Sequence, residues 1–263
     1  MDRLKGKVAL ITGSSAGLGR ASAILFGKEG AKVVVADVDV EGGQETIKMI
    51  KEQGGEGLFV KADVSKSAEV QNMIKAAVDK YGRMDVIFNN AGIDGEIAIT
   101  HECTEENYDK IVATNLKGVF LGMKYGIIQM LKQGGGVIVN TSSGVAELGF
   151  AGMPAYCAAK AGVCQLTRVA AVEYGKQNIR VNCIEPGLML TPMALRILEE
   201  HRVIDGTKGS VELLGQQMPM GRGSQPEEVA HVALFLASDE SSYIHGAMIA
   251  ADGGWTAKIC DVS

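Results

Sequence analysis

The chain has 263 residues, of which 46% are hydrophobic and 22% charged, a balance that fits one large globular domain or two small ones. A net charge of −5 without any basic run argues against nucleic acid or an anionic membrane surface as the main partner. Five cysteines without a C-x2-C pair indicate neither a disulfide framework nor a metal site. We find no signal-peptide pattern and no apolar run of membrane-spanning length, so we expect a cytoplasmic protein.

The first third of the chain alternates short apolar runs with amphipathic segments. We predict strands at 7–12, 31–36, 57–61 and 84–88, and helices at 20–28, 41–53 and 67–81. This alternation predicts a parallel sheet with helices on both faces, whose right-handed crossovers bring the strand carboxyl ends to one edge. Ligands bind at that edge of open α/β sheets. The residues that follow the strands there are Gly13, Asp37, Asp63 and Asn90.

A glycine loop follows the first strand. Gly13, Gly17 and Gly19 have the spacing G-x3-G-x-G, which differs from the G-x-G-x-x-G dinucleotide fingerprint. A strand, a glycine loop and a helix in this order direct helix N–H groups toward a phosphate. Asp37 lies 18 residues after Gly19, where a carboxylate that binds an adenosine ribose is expected. The alternative is that Asp37 is only a solvated residue at a strand end.

The remaining chain continues the pattern and adds one long apolar segment. We predict helices at 105–132, 155–173, 192–200 and 226–238, and strands at 136–142, 180–184 and 247–251. The 33 residues 188–220 are too many for a plain loop, and we predict a substrate-binding lid there. Because no linker or repeat interrupts the chain, we expect a single domain over 1–263.

One pair of residues on the helix from Pro154 suggests acid–base chemistry. Tyr156 and Lys160 are four positions apart, so they share a helix face. A free tyrosine has a pKa of about 10, and a cation within reach lowers it, which makes the phenol a usable acid or base near neutral pH. The hydroxyl of Ser143 can reach the same substrate oxygen. Taken alone, a Y-x3-K pair is most often a solvated helix face, so this inference depends on the rest of the chain.

These motifs together resemble the short-chain dehydrogenase/reductase family over nearly the whole chain. The matching motifs are TGSSAGLG at 12–19, Asp63-Val64, NNAG at 89–92, Asn115 in NLKG, Ser143, Tyr156-x3-Lys160, and Pro186-Gly187 with Thr191. The resemblance implies a single-domain Rossmann-like fold, a doubly wound parallel sheet of about seven strands in the order 3-2-1-4-5-6-7. It also implies a nicotinamide nucleotide cofactor, and a homotetramer built on helices 105–132 and 153–175 and on the C-terminal strand.

The resemblance assigns roles to individual residues. Tyr156 would be the general acid/base, and Ser143 would polarise the substrate carbonyl. Lys160 would lower the pKa of Tyr156 and bind the nicotinamide ribose. Asn115 would kink its helix so that a freed carbonyl holds a water beside Lys160. The cofactor-binding residues implied are Gly13, Ser15, Gly17, Leu18, Gly19, Asp37, Asp63, Val64, Asn90, Ala91, Gly92, Tyr156, Lys160, Pro186, Gly187, Met189 and Thr191.

We therefore expect an NAD-dependent oxidoreductase that interconverts a secondary alcohol and a ketone. Asp37 favours NAD because its carboxylate can bind both ribose hydroxyls and would repel the 2′-phosphate of NADP. Ala16 and Val38 occupy the positions where the family places the basic residues that bind NADP. The substrate-binding residues expected are Ser143, Val145, Phe150 and Tyr156, with Leu148, Met153, Leu188, Met189, Leu190, Met193 and Leu195 as further apolar walls. This wall suits a small, weakly polar ketone, cyclic ketones included.

Two alternatives remain open at this stage. The first is a reductase of 3-oxoacyl thioesters, carried by acyl carrier protein or coenzyme A. Val172 and the turn 134–136 lack the basic residues with which such reductases of the family dock an acidic carrier. The second is a nucleotide-binding protein without catalysis, which the intact catalytic set disfavours.

Overall fold

The sheet of this computed structural model, which describes residues 2–200 and 211–257, is parallel throughout. Its strands are β1 Val8–Thr12, β2 Lys32–Asp37, β3 Glu56–Lys61, β4 Val86–Asn89, β5 Gly136–Thr141, β6 Ile179–Pro186 and β7 Met248–Ala251. They are arranged in the order β3-β2-β1-β4-β5-β6-β7. The expected doubly wound, Rossmann-like fold is thereby confirmed.

Helices cover both faces of the sheet. They are α1 Gly17–Lys28, α2 Val40–Glu52, α3 Ser67–Tyr81, α4 Glu105–Val112, α5 Gly118–Gln133, α6 Pro154–Tyr174, α7 Pro192–Glu200, α8 Val211–Gln217 and α9 Pro226–Ala237. One core lies beneath α3, α5 and α6, and the other beneath α1, α2 and α9. Within the described ranges, none of these helices has the length and apolar character needed to cross a lipid bilayer.

The strands form where apolar residues run without polar alternation, because both of their faces are covered. In β1 all five residues are buried. Leu10 packs into one core and its neighbour Ile11 into the other, as alternate side chains of a strand must. The sheet edge that carries the strand carboxyl ends is thus held rigidly from both sides.

The long helix predicted at 105–132 is interrupted. α4 ends at Val112, a π-helical turn spans Ala113–Lys117, and α5 begins at Gly118. Asn115 is fully buried in that turn, where its side-chain amide accepts a hydrogen bond from the Ile93 N–H (2.8 Å) and donates one to the Ile93 carbonyl (2.7 Å). A π-bulge frees backbone groups from the regular ladder, so the interruption is of the kind that the family resemblance implies.

The predicted lid begins with a short helix and a tether to the body of the domain. The amide of Ala194 donates to Thr191 Oγ1 (3.3 Å), as expected for an N-cap threonine before Pro192 in α7. Met189 forms an isolated parallel bridge with Ser224. Residues 201–210 of the predicted lid lie outside the described residues, and α8, which the sequence analysis did not predict, follows them.

Close packing of α5 on β4 depends on glycine. A Cβ on Gly122 would lie 2.0 Å from Asn89 Oδ1, whereas a Cβ on Gly126, one turn later, would have its nearest neighbour at 3.4 Å. The Asn89 side chain cannot easily move aside, because its amide nitrogen donates to Asn140 Oδ1 (2.9 Å) in the buried core. Gly122 therefore fixes how closely α5 approaches the sheet.

We predict that Gly122→Ala destabilises the protein by about 1–3 kcal/mol, the usual cost of overpacking a core. Gly126→Ala is the matched control, because alanine favours a helix over glycine by about 1 kcal/mol and meets only ordinary contacts there. Urea unfolding at one protein concentration measures both variants. Equal effects of the two substitutions would contradict this account of the packing.

Candidate active site

A cavity of about 530 Å³ opens at the carboxyl ends of the strands. Most of the residues predicted from sequence line it: Gly13, Ser15, Gly17, Leu18, Asp37, Asp63, Val64, Asn90, Ala91, Gly92, Ser143, Tyr156, Lys160, Pro186, Gly187, Met189 and Thr191. The topology has therefore gathered side chains from six strand ends into one site. Gly19, Asn115, Val145 and Phe150 are outside this lining.

The glycine loop is pressed against the end of β4. A Cβ on Gly13, whose φ is +64°, would lie 2.7 Å from the Ala91 Cα, and one on Gly19 would lie 2.1 Å from the Gly13 carbonyl oxygen. The side-chain amide of Asn90 donates to the carbonyls of Thr12 (3.0 Å) and Gly13 (3.1 Å). Thr12 Oγ1, to which the sequence motif assigned no role of its own, accepts the N–H groups of Asn90 and Ala91 at 3.0 Å each. These contacts hold open a backbone cradle of the kind that binds a dinucleotide phosphate.

Asp37 is held in a fixed orientation at the end of β2. Its Oδ2 accepts the N–H of Ser15 (2.9 Å), and its Oδ1 accepts the N–H of Asp39 (3.0 Å). Each carboxylate oxygen has a second lone pair. Asp37 can therefore accept two further hydrogen bonds, such as those of a ribose diol, without reorienting.

Tyr156, Lys160 and Ser143 meet at another part of the same cavity. Lys160 is 3% exposed, and its Nζ donates to the Thr141 carbonyl (2.9 Å) and lies 5.5 Å from the centre of the Tyr156 ring. A hydrogen bond from the side chain of Ser143 favours the ionised form of Tyr156. Ser143 Oγ also accepts the N–H of Val145 at 3.4 Å. A phenol, an ammonium and a hydroxyl thus converge on one point.

Burial shifts the pKa of Tyr156 in the direction opposite to the predicted one. It raises the pKa of Tyr156 to about 12, although the hydrogen bond from Ser143 opposes that rise. Burial also lowers the pKa of Lys160 to about 8. The expected pKa of Tyr156 below that of free tyrosine is not found in this structure, because helical spacing brings the two groups together but does not reveal how strongly the surrounding protein desolvates the phenol. At neutral pH Tyr156 holds its proton.

A buried polar chain lies behind Lys160. Ser142 Oγ donates to the Lys160 carbonyl (2.8 Å), and the Cys164 thiol lies 3.2 Å from Ser142 Oγ and 3.1 Å from Glu185 Oε1. Burial raises the pKa of Glu185. Glu147 joins Cys164 and Glu185 in a group whose potential metal donors lie within 4.8 Å of one another, which the sequence analysis did not find. These contacts join residues that are distant in the sequence, so no sequence motif marks them.

The predicted substrate wall needs correction. Val145 is buried outside the cavity, and Phe150 is 39% exposed with its ring packed edge-on against Trp255 at 6.3 Å. A 3-10 turn over Gly144–Ala146 redirects this segment, a change that side-chain polarity does not predict. The predicted residues Leu148, Leu190 and Leu195 also lie outside the lining. The apolar residues that line this part of the cavity are Ile93, Met153, Leu188, Met193 and Ala194.

Comparisons with known proteins agree with this geometry. A family model described as Enoyl-(Acyl carrier protein) reductase matches residues 13–256. The 3-oxoacyl-(acyl-carrier-protein) reductase of Thermotoga maritima is 42% identical over 96% of this chain and 98% of its own, and the cyclohexanol dehydrogenase of Acinetobacter sp. is 37% identical over 98% of each. The crystal structure of levodione reductase superposes with a TM-score of 0.93 at 39% identity, covering 97% of this chain and 99% of that one.

The buried ammonium predicts a pH-dependent stability effect. Because the folded-state pKa of Lys160, about 8, is below its usual value of 10.5, the unfolded chain binds more protons between these values and wild-type stability rises with pH there. We expect the free energy of unfolding of the wild type, taken relative to that of Lys160→Met, to rise by roughly 2 kcal/mol between pH 7 and pH 9.5. Unfolding free energies measured at both pH values test this.

The exposed Lys176→Met provides the control, because its ammonium remains in water. The part of the substitution's effect that does not depend on pH cancels from the change. A difference independent of pH would show that the ammonium is not desolvated.

Proposed function

Because the chain belongs to the short-chain dehydrogenase/reductase family, we propose that it is an NAD-dependent oxidoreductase that interconverts a secondary alcohol and a ketone. The observation that carries this proposal is the meeting of Tyr156, Lys160 and Ser143 in the cavity that also contains the glycine loop and Asp37. When bound, the nicotinamide ring supplies or accepts the hydride. The residues of the chain bind, orient and move the proton.

Proton transfer is assigned to Tyr156. As a phenol at neutral pH it can donate its proton to the carbonyl oxygen of a ketone, and as a phenolate at high pH it can accept the proton of an alcohol. The hydroxyl of Ser143 would bind the same oxygen and stabilise its developing negative charge. Lys160, held by the Thr141 carbonyl, would bind the nicotinamide ribose. For Asn115 we propose an indirect role, in which its π-helical turn leaves a carbonyl free to hold a water beside Lys160.

The cofactor proposal depends on the fixed charge of Asp37. A ribose 2′-phosphate placed about 4 Å from a carboxylate would cost roughly 1–4 kcal/mol. Ala16 and Val38 line the cavity beside it, and Lys160 is the only basic residue among the described residues of the lining. Since Lys160 lies next to Tyr156, it cannot offset that repulsion. We propose a preference for NAD of at least about tenfold.

The substrate proposal rests on the apolar wall. Ile93, Leu188 and Met193 offer no charge to hold a sugar phosphate or a carboxylate. A small, weakly polar ketone is desolvated at least cost in such a wall, and methionines adapt to its shape. The relative described as cyclohexanol dehydrogenase supports cyclic ketones as the first compounds to test.

A 3-oxoacyl thioester is the second candidate substrate. The relative described as 3-oxoacyl-(acyl-carrier-protein) reductase, at 42% identity, supports it. Against it, Val172 is 88% exposed where such reductases of the family place an arginine, and an apolar side chain cannot attract an acidic carrier. Comparing kcat/KM for cyclic ketones and acetoacetyl thioesters at one NADH concentration decides the ranking. An advantage of more than about tenfold for the thioesters would reverse it.

We also propose a cytoplasmic homotetramer. Exposed apolar side chains on the two helical segments that the family resemblance assigns to assembly support this: Tyr108, Phe120, Ile128, Leu131 and Val169. Such patches commonly mark contact sites between proteins. The four cysteines in the described part of the chain are free thiols, as in a reducing compartment.

Tyr156→Phe tests the reaction. It keeps the ring and removes the proton, so we expect turnover of ketones with NADH to fall by roughly 10²–10⁴, with NADH binding nearly unchanged. Cofactor absorbance and NADH fluorescence measure the two quantities. A variant that keeps most of its activity would exclude Tyr156 as the acid. A wild-type protein that binds NADH but turns over no ketone or thioester would instead indicate a nucleotide-binding protein without catalysis.

Asp37→Asn tests the cofactor choice. We expect this substitution to lower the ratio of kcat/KM for NADH to kcat/KM for NADPH by about tenfold, because the charge that repels the 2′-phosphate is removed. Asp39→Asn is the matched control, since it removes one charge two residues away and asparagine still caps α2, as Asp39 does through the Gly42 N–H. Equal kcat/KM for NADH and NADPH in the wild type would refute the proposed preference.

A further inference from the structure

We propose that Asp94 is a positioning residue for Tyr156, and that its ion pair with Arg196 latches α7 over the substrate end of the cavity. This inference rests on the proposed function, because it concerns the ionisation of the same tyrosine. Asp94 belongs to none of the motifs that the sequence offers. The geometry around it gives it a specific task.

The backbone on both sides of Asp94 is anchored. Before it, Ile93 is paired through both backbone groups with the buried side chain of Asn115. After it, the Glu96 N–H donates to Asn107 Oδ1 (3.0 Å), and Asn107 Nδ2 donates to the Glu96 carbonyl (2.8 Å). Two asparagine side chains therefore grip the loop after β4, and Asp94 stands between them, only 7% exposed.

The same loop is joined to the segment that leads into α6. The N–H of Ala98 donates to the Gly152 carbonyl (2.9 Å). A Cβ on Gly152, whose φ is +83°, would lie 2.4 Å from Ile97 Cγ2, so the two segments are in close contact. Because Gly152 precedes Tyr156 by four residues, the position of Asp94 is fixed relative to the tyrosine.

Arg196 reaches Asp94 from α7. Its Nη2 lies 2.6 Å from Asp94 Oδ1, across 102 positions of sequence. The arginine side chain is 52% exposed and that of Asp94 is 9% exposed, so a cation at the surface neutralises a carboxylate that is nearly buried. Ile93, next to Asp94, and Ala194, on α7, both line the cavity. The ion pair therefore ties one wall of the cavity to the other.

Asp94 also acts on Tyr156 through space. Two groups act on the ionisation of Tyr156 by their charge, Cys157 of α6 and Asp94 after β4, and Ser143 after β5 acts by a hydrogen bond. The Lys160 ammonium of α6 lies 5.5 Å from the centre of the Tyr156 ring, and Arg196 of α7 is paired to Asp94. The negative charge of Asp94 adds to the rise in the pKa of Tyr156 that burial causes. With α7 latched, Arg196 offsets that charge; with α7 released, the unpaired carboxylate opposes the phenolate. The latch thus links closure over the substrate to the readiness of the base.

The test replaces Asp94 and Arg196 separately, because the two substitutions should shift the pKa of Tyr156 in opposite directions. Alcohol oxidation needs the phenolate, so its rate rises with pH through the ionisation of Tyr156. Arg196→Gln leaves Asp94 unpaired and should move this rise to higher pH by about half a pH unit, whereas Asp94→Asn should move it to lower pH by a similar amount. The double variant should behave like Asp94→Asn.

If the ion pair latches α7, the two single variants should change KM for the alcohol in the same direction. Either single variant releases α7 and should raise KM for the alcohol about 3- to 10-fold, with a smaller effect on kcat. Arg196→Lys keeps the charge and should restore the pH profile. Arg222→Gln is the matched control: Arg222 pairs with Glu228 at 2.7 Å, but both side chains are about half exposed, and we expect neither change.

An ultraviolet titration follows the ionisation of the tyrosines, and subtracting the curve of the Tyr156→Phe protein isolates Tyr156. This measures the pKa of Tyr156 in each variant without turnover. That readout separates the two proposals. If the Tyr156 pKa shifts in opposite directions in Arg196→Gln and Asp94→Asn but the protein turns over no alcohol, the latch is supported and the proposed function is refuted. Turnover that depends on Tyr156, with both single variants shifted in the same direction or not at all, would overturn the latch.

Discussion

Two reciprocal hydrogen bonds clamp α6 to the end of β5. The Lys160 ammonium donates to the Thr141 carbonyl (2.9 Å), and the Ser142 hydroxyl donates to the Lys160 carbonyl (2.8 Å). Because β5 is a central strand of a sheet covered on both faces, the clamp transmits the rigidity of the sheet to the helix. Tyr156 stands one turn before Lys160, so its hydroxyl position is set by the sheet. Ser143 stands two residues after the end of the strand and meets the tyrosine there.

The clamp requires an ammonium in a buried place, and that has an energetic cost. The lowered pKa of Lys160 expresses the cost, since a buried cation has lost its hydration and gained one described carbonyl in return. The glycine loop shows the same pattern: Gly13 and Gly19 give up side-chain packing and backbone order so that two backbones can approach. The buried ammonium and the loop glycines each lower the stability of the fold locally, and the fully buried strands around them offset this loss. Strain concentrated at a ligand edge is typical of functional sites.

The sequence predicted what depends on local patterns and missed what depends on distant contacts. Helix 67–81 was predicted with its observed bounds, and β1 was recognised because an unbroken apolar run can only be buried on both faces. The break in the helix predicted at 105–132 depends on a bond between Asn115 and Ile93, 22 positions away, which no periodicity encodes. The sign of the pKa change at Tyr156 was missed for a related reason. Spacing gives proximity, but burial is a property of the whole fold.

Under the proposed function, the site separates the chemistry of the reaction from the choice of substrate. Tyr156 and Lys160 belong to a helix clamped to the sheet, whereas Met193 and Ala194 belong to α7. This division explains how relatives described as a cyclohexanol dehydrogenase and as a 3-oxoacyl reductase can be similarly close to one chain. Substitutions on α7 can change the wall without disturbing the clamp. In the latch proposed above, the pair of Asp94 and Arg196 joins the loop after β4 to α7, so the lid would influence Tyr156 through the charge of Asp94.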